Sequence, residues 1–178
     1  MGRWRLPDVA LAQLLVLVVV AALAVAIGGA RVLPWKTEAL RNSVENRAVA
    51  EAAEKGVDAF LDVDYRVIDD RSARVMELST GIFRQQYSDR ATDLRIATMR
   101  ARSVADGTVR AVGVHRVNDG RATAVVAAES VLSSTATTKL KPTKSCPRAG
   151  VRCARYRFLV TLTKVGEEWL MSDLAEVL

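Results

Sequence analysis

The sequence predicts an α+β domain behind an N-terminal transmembrane helix, with about three helices packed on one face of a curved four-stranded antiparallel sheet. Three observations predict it. A charge-free run occupies Val9 to Ala30. Apolar residues then recur at three- and four-residue spacing to about Val104, and from Thr108 the apolar period changes to two. Helix-period segments grouped ahead of strand-period segments are the pattern of an α+β layer structure, not of an alternating parallel sheet.

The run from Val9 to Ala30 has 22 residues, with Gln13 its only clearly polar side chain. As a helix it spans ~33 Å, against a bilayer core of ~30 Å. Ala24-Val25-Ala26 has the small-x-small form of a cleavage site. The apolar stretch is nevertheless longer than the ~7–15 residues of a signal peptide, which favours an uncleaved signal anchor. Arg3 and Arg5 in the short leader hold the amino terminus in the cytoplasm, and a long following domain translocates largely regardless of Arg31 and Lys36. The expected organisation is a cytoplasmic leader (1–8), a single-pass anchor in the cell membrane (9–30), a linker (31–36) and an extracytoplasmic domain (37–178).

That domain reads helices first. From 36 to 61, Leu40, Val44, Ala48, Ala52 and Phe60 fall on one ridge, with Val49, Ala53, Val57 and Leu61 beside it. Thr37 is an expected N-cap, and Gly56 weakens the helix end. The acid-rich stretch Asp62 to Asp70 reads as a corner, with Asp69 or Asp70 capping a short second helix through Leu78. Ser79-Thr80-Gly81 breaks it. A third helix, from about Gly81 to Val104, has the ridge Phe83, Tyr87, Ala91, Leu94, Thr98 and Ala101. Strands are expected at 108–117, 121–132, 154–165 and 169–177. Asn118-Asp119-Gly120 makes the first hairpin, because these residues tolerate positive φ. In the third strand Tyr156, Phe158, Val160 and Leu162 share one face.

Composition excludes several chemistries. The 178 residues include one histidine and two cysteines, which leaves out a multi-ligand His/Cys zinc site and a disulfide-dense miniprotein. Aromatics are 5% of the chain, too few for a base-stacking platform. Cys146 and Cys153, with six residues between them, lie in the loop Lys139 to Ala154. In an exported domain they read as a structural disulfide, and two free thiols would be expected only in the cytoplasm. The same region is basic: Ser130 to Gly166 holds eight Lys and Arg and no Asp or Glu, among them Lys139, Lys141, Lys144, Arg148 and Arg152. Nucleic acid does not suit an exported domain. Anionic lipid headgroups or an acidic protein surface do, and a solvated loop is the bland alternative. His115 has no nucleophile or partner nearby in sequence and reads as a structural or surface residue. The acids Asp58, Asp62, Asp64, Asp69 and Asp70 lack calcium-loop spacing and fit helix capping and salt bridges to Arg66, Arg71 and Arg74.

Two segments carry a resemblance. Asp64-Tyr65-Arg66, followed by Ala73-Arg-Val-Met-Glu-Leu-Ser-Thr-Gly81-x-Phe83-x-x-x-Tyr87, is similar to the signature of the actinobacterial Mce-associated membrane proteins, as is the closing Trp169-Leu-Met-Ser-Asp173-Leu. The resemblance covers most of the chain, and the cysteine loop is outside it. It implies an NTF2-like cone and a non-catalytic accessory or stabilising role beside the mammalian-cell-entry (Mce) lipid importers of the envelope, without a cofactor. It also implies structural duties for Asp64, Tyr65, Thr80, Gly81, Phe83, Tyr87, Trp169 and Asp173.

Alternatives follow from the same fold. The small residues Ala111, Gly113, Ala122, Ala124, Ala127 and Ala128 could leave volume for a lipid or sterol inside the cone, or let the helices approach closely. An isomerase-like enzyme would have to use Asp64 and Tyr65, which as neighbours do not face the same way. A secretion-system component has the same anchor-plus-cone design.

Overall fold

The structure is a computed structural model, and it describes residues 42–177. The expected leader, anchor and linker, Thr37 and Leu40 lie outside the described residues. No described helix is long and apolar enough to cross a membrane. The chain divides into two units, Met1–Val44 and Glu45–Leu178, and apart from residues 42–44 everything that follows belongs to the second.

Helix α1 covers residues 42–61, followed by β1 (Val63–Asp64), α2 (Ile68–Glu77), α3 (Gly81–Ala101), β2 (Val104–Asn118), β3 (Arg121–Ser133), β4 (Val151–Val165) and β5 (Glu168–Glu176). The sheet is an antiparallel meander in the order β1-β2-β3-β4-β5. It has five strands where four were expected. The additional strand, β1, sits inside the acid-rich corner and pairs Val63 and Asp64 with Ala105 and Val104. Two residues are too short for a periodic signal, so only the pairing reveals it.

Of the two ridges on α1, the second is the buried one. Val49, Ala53, Val57 and Leu61 are buried, whereas Ala48 is exposed and Ala52 and Phe60 are partly covered. The helix runs five residues past Gly56, which is buried against Met171. Helix α2 starts from Val67, and no side chain caps it. Asp69 and Asp70 stand in its first turn, where a negative charge favours the helix dipole without supplying the expected cap.

The ridge expected on α3 is the face it turns inward. Phe83 and Thr98 are buried, Tyr87, Ala91, Leu94 and Ala101 are half-buried, and the rest of the helix is exposed. It ends at Ala101, three residues early, because Arg102 turns left-handed (φ 48°) and the Arg102 and Ser103 amides bond back to Met99 and Thr98. Strand β2 therefore begins at Val104, and Gly107 lies within it. A Cβ at Gly107 would fall 2.3 Å from Leu61 Cβ, so the absent side chain is what lets α1 rest on this strand.

The Asp119–Gly120 turn has φ of 44° and 74°, the left-handed pair expected of a tight hairpin. Three bulges bend the sheet, at Arg110 and His115 in β2 and at Ser172 in β5. The bulges and the alternation divide the small residues between faces. Ala122, Ala124 and Ala128 are buried in the core cluster with Val49, Ala53, Val57, Val126, Phe158, Val160 and Leu162. Ala111 pairs with Ala127 and Gly113 with Val125, and none of Ala111, Gly113 and Ala127 is buried, so the six small residues do not line one cavity.

Candidate functional site

The two signature segments meet. Leu78-Ser79-Thr80 runs beside β5, with the Thr80 amide donating to the Met171 carbonyl at 2.9 Å and the Met171 amide donating to the Leu78 carbonyl at 3.0 Å. Ser79 is completely buried there, and its hydroxyl donates to the Met76 carbonyl. Gly81 leaves this segment at φ 58°, a left-handed conformation that favours glycine. Across from it, the bulge residue Ser172 donates to the Thr161 carbonyl and accepts from the Thr163 hydroxyl. The break between α2 and α3 thus covers one point of the β5 edge, an effective protection for an edge strand.

The aromatic members of the signature are core. Phe83 meets Phe60 edge-on at 5.9 Å and stacks with Tyr87 at 6.0 Å, and Phe60 meets Phe158 edge-on at 6.2 Å. The Tyr87 hydroxyl reaches Ser72. Trp169 is buried beneath Lys164, whose ammonium lies 5.9 Å from the ring and 3.7 Å from Glu45. Asp173 is exposed and accepts from the Leu174 amide, away from the junction.

Asp64 and Tyr65 do not assemble a catalytic pair. Asp64 accepts from the Arg66 amide at 2.9 Å and from its guanidinium at 2.8 and 2.5 Å. Those Arg66 hydrogen bonds hold the carboxyl down at about 2, below its ordinary 3.8, so it is a paired anion rather than a base. The Arg66 guanidinium also lies over the Tyr65 ring, at 6.0 Å. The other acids are occupied too. Asp62 pairs with Arg71, and Asp69 pairs with Arg95 on α3. Arg74, expected to serve this cluster, pairs with Glu77 instead. Asp58 has a duty that sequence did not show: its carboxylate accepts the Val109 amide of β2 beside the Arg110 bulge, at 3.1 Å. Among the described residues, no group of three His, Cys, Asp or Glu could hold a metal ion. His115 is exposed at its bulge.

The basic loop is built, not slack. Cys146 and Cys153 are joined by a disulfide. Thr137 is buried, and its hydroxyl accepts from the Ser134 amide and donates its one proton toward the Gly150 carbonyl at 2.8 Å, with the Ser134 carbonyl also within reach at 3.0 Å. The Thr143 and Cys146 backbones bond each other, the Gly150 amide reaches the Leu140 carbonyl, and the Thr135 amide reaches Ala101 at the end of α3. Lys139, Lys141, Lys144, Arg148 and Arg152 are all exposed, and none has an ion-pair partner among the described residues. An open cleft lies elsewhere. It measures about 490 Å³ and is lined by both charge signs, with Glu51, Lys55, Arg74 and Glu77 facing Glu167, Glu168 and Trp169.

The family described as "Uncharacterized protein Rv1363c/MT1408-like" matches residues 8–177. The chain belongs to this family. A relative, "Uncharacterized protein Rv1363c" of Mycobacterium tuberculosis, is 32% identical over 135 residues, covering 76% of this chain and 48% of that protein. The chain therefore spans about half the length of the curated relative it matches. Among solved structures, CagV, a VirB8 homolog of the type IV secretion system of Helicobacter pylori, is similar with TM-score 0.55 at 12% identity, covering 74% of this chain and 97% of that one. The periplasmic domain of DotI is similar with TM-score 0.52 at 13% identity, covering 74% and 94%. At these identities the likeness is one of fold alone, helices followed by an antiparallel sheet.

Proposed function

We propose that this chain is a non-catalytic, membrane-anchored accessory subunit that acts by protein contact in an envelope complex, with an Mce-type lipid importer as that complex. The observation that carries the reading is how the signature residues are used. Thr80, Gly81, Phe83, Tyr87 and Trp169 stabilise one junction and its aromatic core, and Asp64 is held by Arg66. A motif used this way maintains a shape for others to bind. The side chains of the core cluster, among them Val126, Phe158, Val160 and Leu162, are buried against one another's elements, which supports contact over carriage of a lipid inside the cone. Residues 9–30 supply the anchor in this reading, with the domain outside the cytoplasmic membrane.

A second reading is a subunit of a secretion-type assembly, favoured by the likeness to CagV and to the DotI periplasmic domain. One experiment separates the two. The tagged full-length chain is purified from its native membrane in mild detergent, and the bound proteins are identified by mass spectrometry. Mce subunits or their permease support the first reading, and secretion-channel subunits support the second. A folded chain recovered alone counts against both and returns attention to the cone interior.

A further inference from the structure

The cleft between α1, the end of α2 and the β4–β5 turn carries an excess of acid around an apolar floor. Glu51, Glu77, Glu167 and Glu168 line it against two cations, Lys55 and Arg74. Arg74 is already paired with Glu77. Glu51, Glu167 and Glu168 are exposed and have no ion-pair partner among the described residues. The floor is Ala48, Ala52, Leu78 and Leu170. Such a rim repels an anion, and a ligand that fits it carries cations on either side of an apolar group. The loop between β3 and β4 presents that combination. Lys139, Leu140 and Lys141 are consecutive and all exposed, Leu140 at 39%. The Gly150 amide donates to the Leu140 carbonyl at 3.0 Å, so these three residues sit beside the start of β4.

We propose that the cleft of one copy is the docking site for the basic loop of a second copy, so that chains associate head to tail. Charge complementarity selects this occupant. Lys139, Lys141, Lys144, Arg148 and Arg152 are exposed without an ion-pair partner among the described residues, and no Asp or Glu occurs between Ser130 and Gly166. Joining the two surfaces neutralises both excesses, and Leu140 supplies the apolar group for the floor. Geometry makes the contact intermolecular. The loop rejoins the sheet at Val151, and the Glu167–Leu170 side of the cleft begins beyond Val165, so the two surfaces stand at opposite ends of β4. At ~3.3 Å per residue those ends are roughly 45 Å apart, too far for a loop to enter the cleft of its own chain. Glu45, paired with Lys164, stands at the cleft end. The disulfide and the buried Thr137 hydroxyl hold the loop in the free protein, so docking loses little conformational entropy. A contact between two different surfaces is heterologous. Each terminal copy keeps one free loop and one free cleft, and association continues as a row or closes as a ring. The proposal concerns contact between copies and does not depend on which envelope complex the chain serves.

The test follows the detergent-solubilised full-length chain by sedimentation velocity over a hundredfold concentration series. Wild type should form dimers and longer species as concentration rises, and lose them as added salt screens the charges. Two variants reverse one surface each, K139E/K141E on the loop and E167K/E168K on the cleft. Each alone should associate at least tenfold more weakly, with an unchanged melting temperature. An equimolar mixture of the two should recover association, because each acidic loop then meets a basic cleft and each unaltered loop meets an unaltered cleft. Leu140→Ser keeps every charge and should weaken association at least threefold, which separates seating on the apolar floor from attraction between charges alone. Where a reversed chain melts early, the neutral K139Q/K141Q and E167Q/E168Q chains replace the pair, and each should weaken association at least threefold. If the mixture of reversed chains stays monomeric, or if altering the cleft leaves association within twofold of wild type, the loop does not dock there and the inference is overturned. Association that survives both reversals uses another surface and overturns it too, as does a wild-type chain that stays monomeric throughout. None of these failures touches the accessory-subunit reading, which the purification from native membrane tests separately.

Discussion

At Gly107 a single missing side chain sets the distance between a helix and a strand. The Cβ of Gly107→Ala would lie 2.3 Å from Leu61 Cβ, with Leu61 backbone close behind, so the helix end must move. The expected cost is about 1–3 kcal/mol, the range for an overpacked core, read as a lower urea midpoint with an unchanged slope. Asp64 makes a different residue-scale prediction. With its carboxyl held at about 2 by Arg66, against an ordinary 3.8, folding is favoured by the ionised form. Its contribution is fully present above the ordinary value and fades as pH falls through the folded one. The stability difference between wild type and Asp64→Asn should therefore shrink between about pH 4 and pH 2. In a carboxyl NMR titration, Arg66→Ala should move the Asp64 midpoint back up toward 3.8.

The loop between β3 and β4 is an element in its own right, although it has no regular secondary structure. Its disulfide closes a short stretch, for which the loop-entropy relation gives roughly 2–3 kcal/mol. Replacing both Cys146 and Cys153 by Ser should release the loop without unfolding the sheet. Hydrogen exchange would register this as faster exchange at the Cys146 and Gly150 amides, with the β3–β4 ladder still protected. Thr137→Val keeps the shape and removes a hydroxyl that accepts from one backbone amide and donates to a backbone carbonyl, so the same amides should lose protection with the disulfide intact. The β2 bulge at Arg110 depends in a similar way on another element. Asp58 on α1 accepts the Val109 amide, and Asp58→Ala leaves that amide without its carboxylate.

Across the whole molecule, the two faces of the sheet have different roles. Leu162 is fully buried in the helix-facing core, and Leu162→Ala should cost about 2–5 kcal/mol in urea unfolding. Val125, on the opposite face, is 44% exposed, and Val125→Ser should stay within about 0.5 kcal/mol. The poles differ as well, since the chain enters beside the turns and the unpaired cations gather at the other end. Much of this architecture was legible. The α3 ridge from Phe83 to Ala101, the inward face of β4 and the Asn118–Gly120 hairpin are local patterns, each read within one element. The candidate surface was half legible, because a run of cations is visible in a sequence while its missing partners are not. Ser172 and Thr137 gave no signal, because a serine or threonine has no periodicity to mark the backbone group it will bond.

What the sequence determined by itself was the kind of each element and the chemistry of its turns. Helical spacing, strand alternation and residues that accept positive φ act over a few neighbours, so they survive without knowledge of the fold. It also determined that Cys146 and Cys153 stand close enough in sequence to close one basic loop. Tertiary structure alone decided which ridge of α1 turns inward, where the bulges fall and that β1 exists. It alone brought Ser79-Thr80-Gly81 against Met171 and Ser172, 90 or so positions later, and set the basic loop opposite Glu45. The physical reason is common to all of these. Each is a choice between locally equivalent arrangements, and only packing against a distant segment makes one of them lower in free energy.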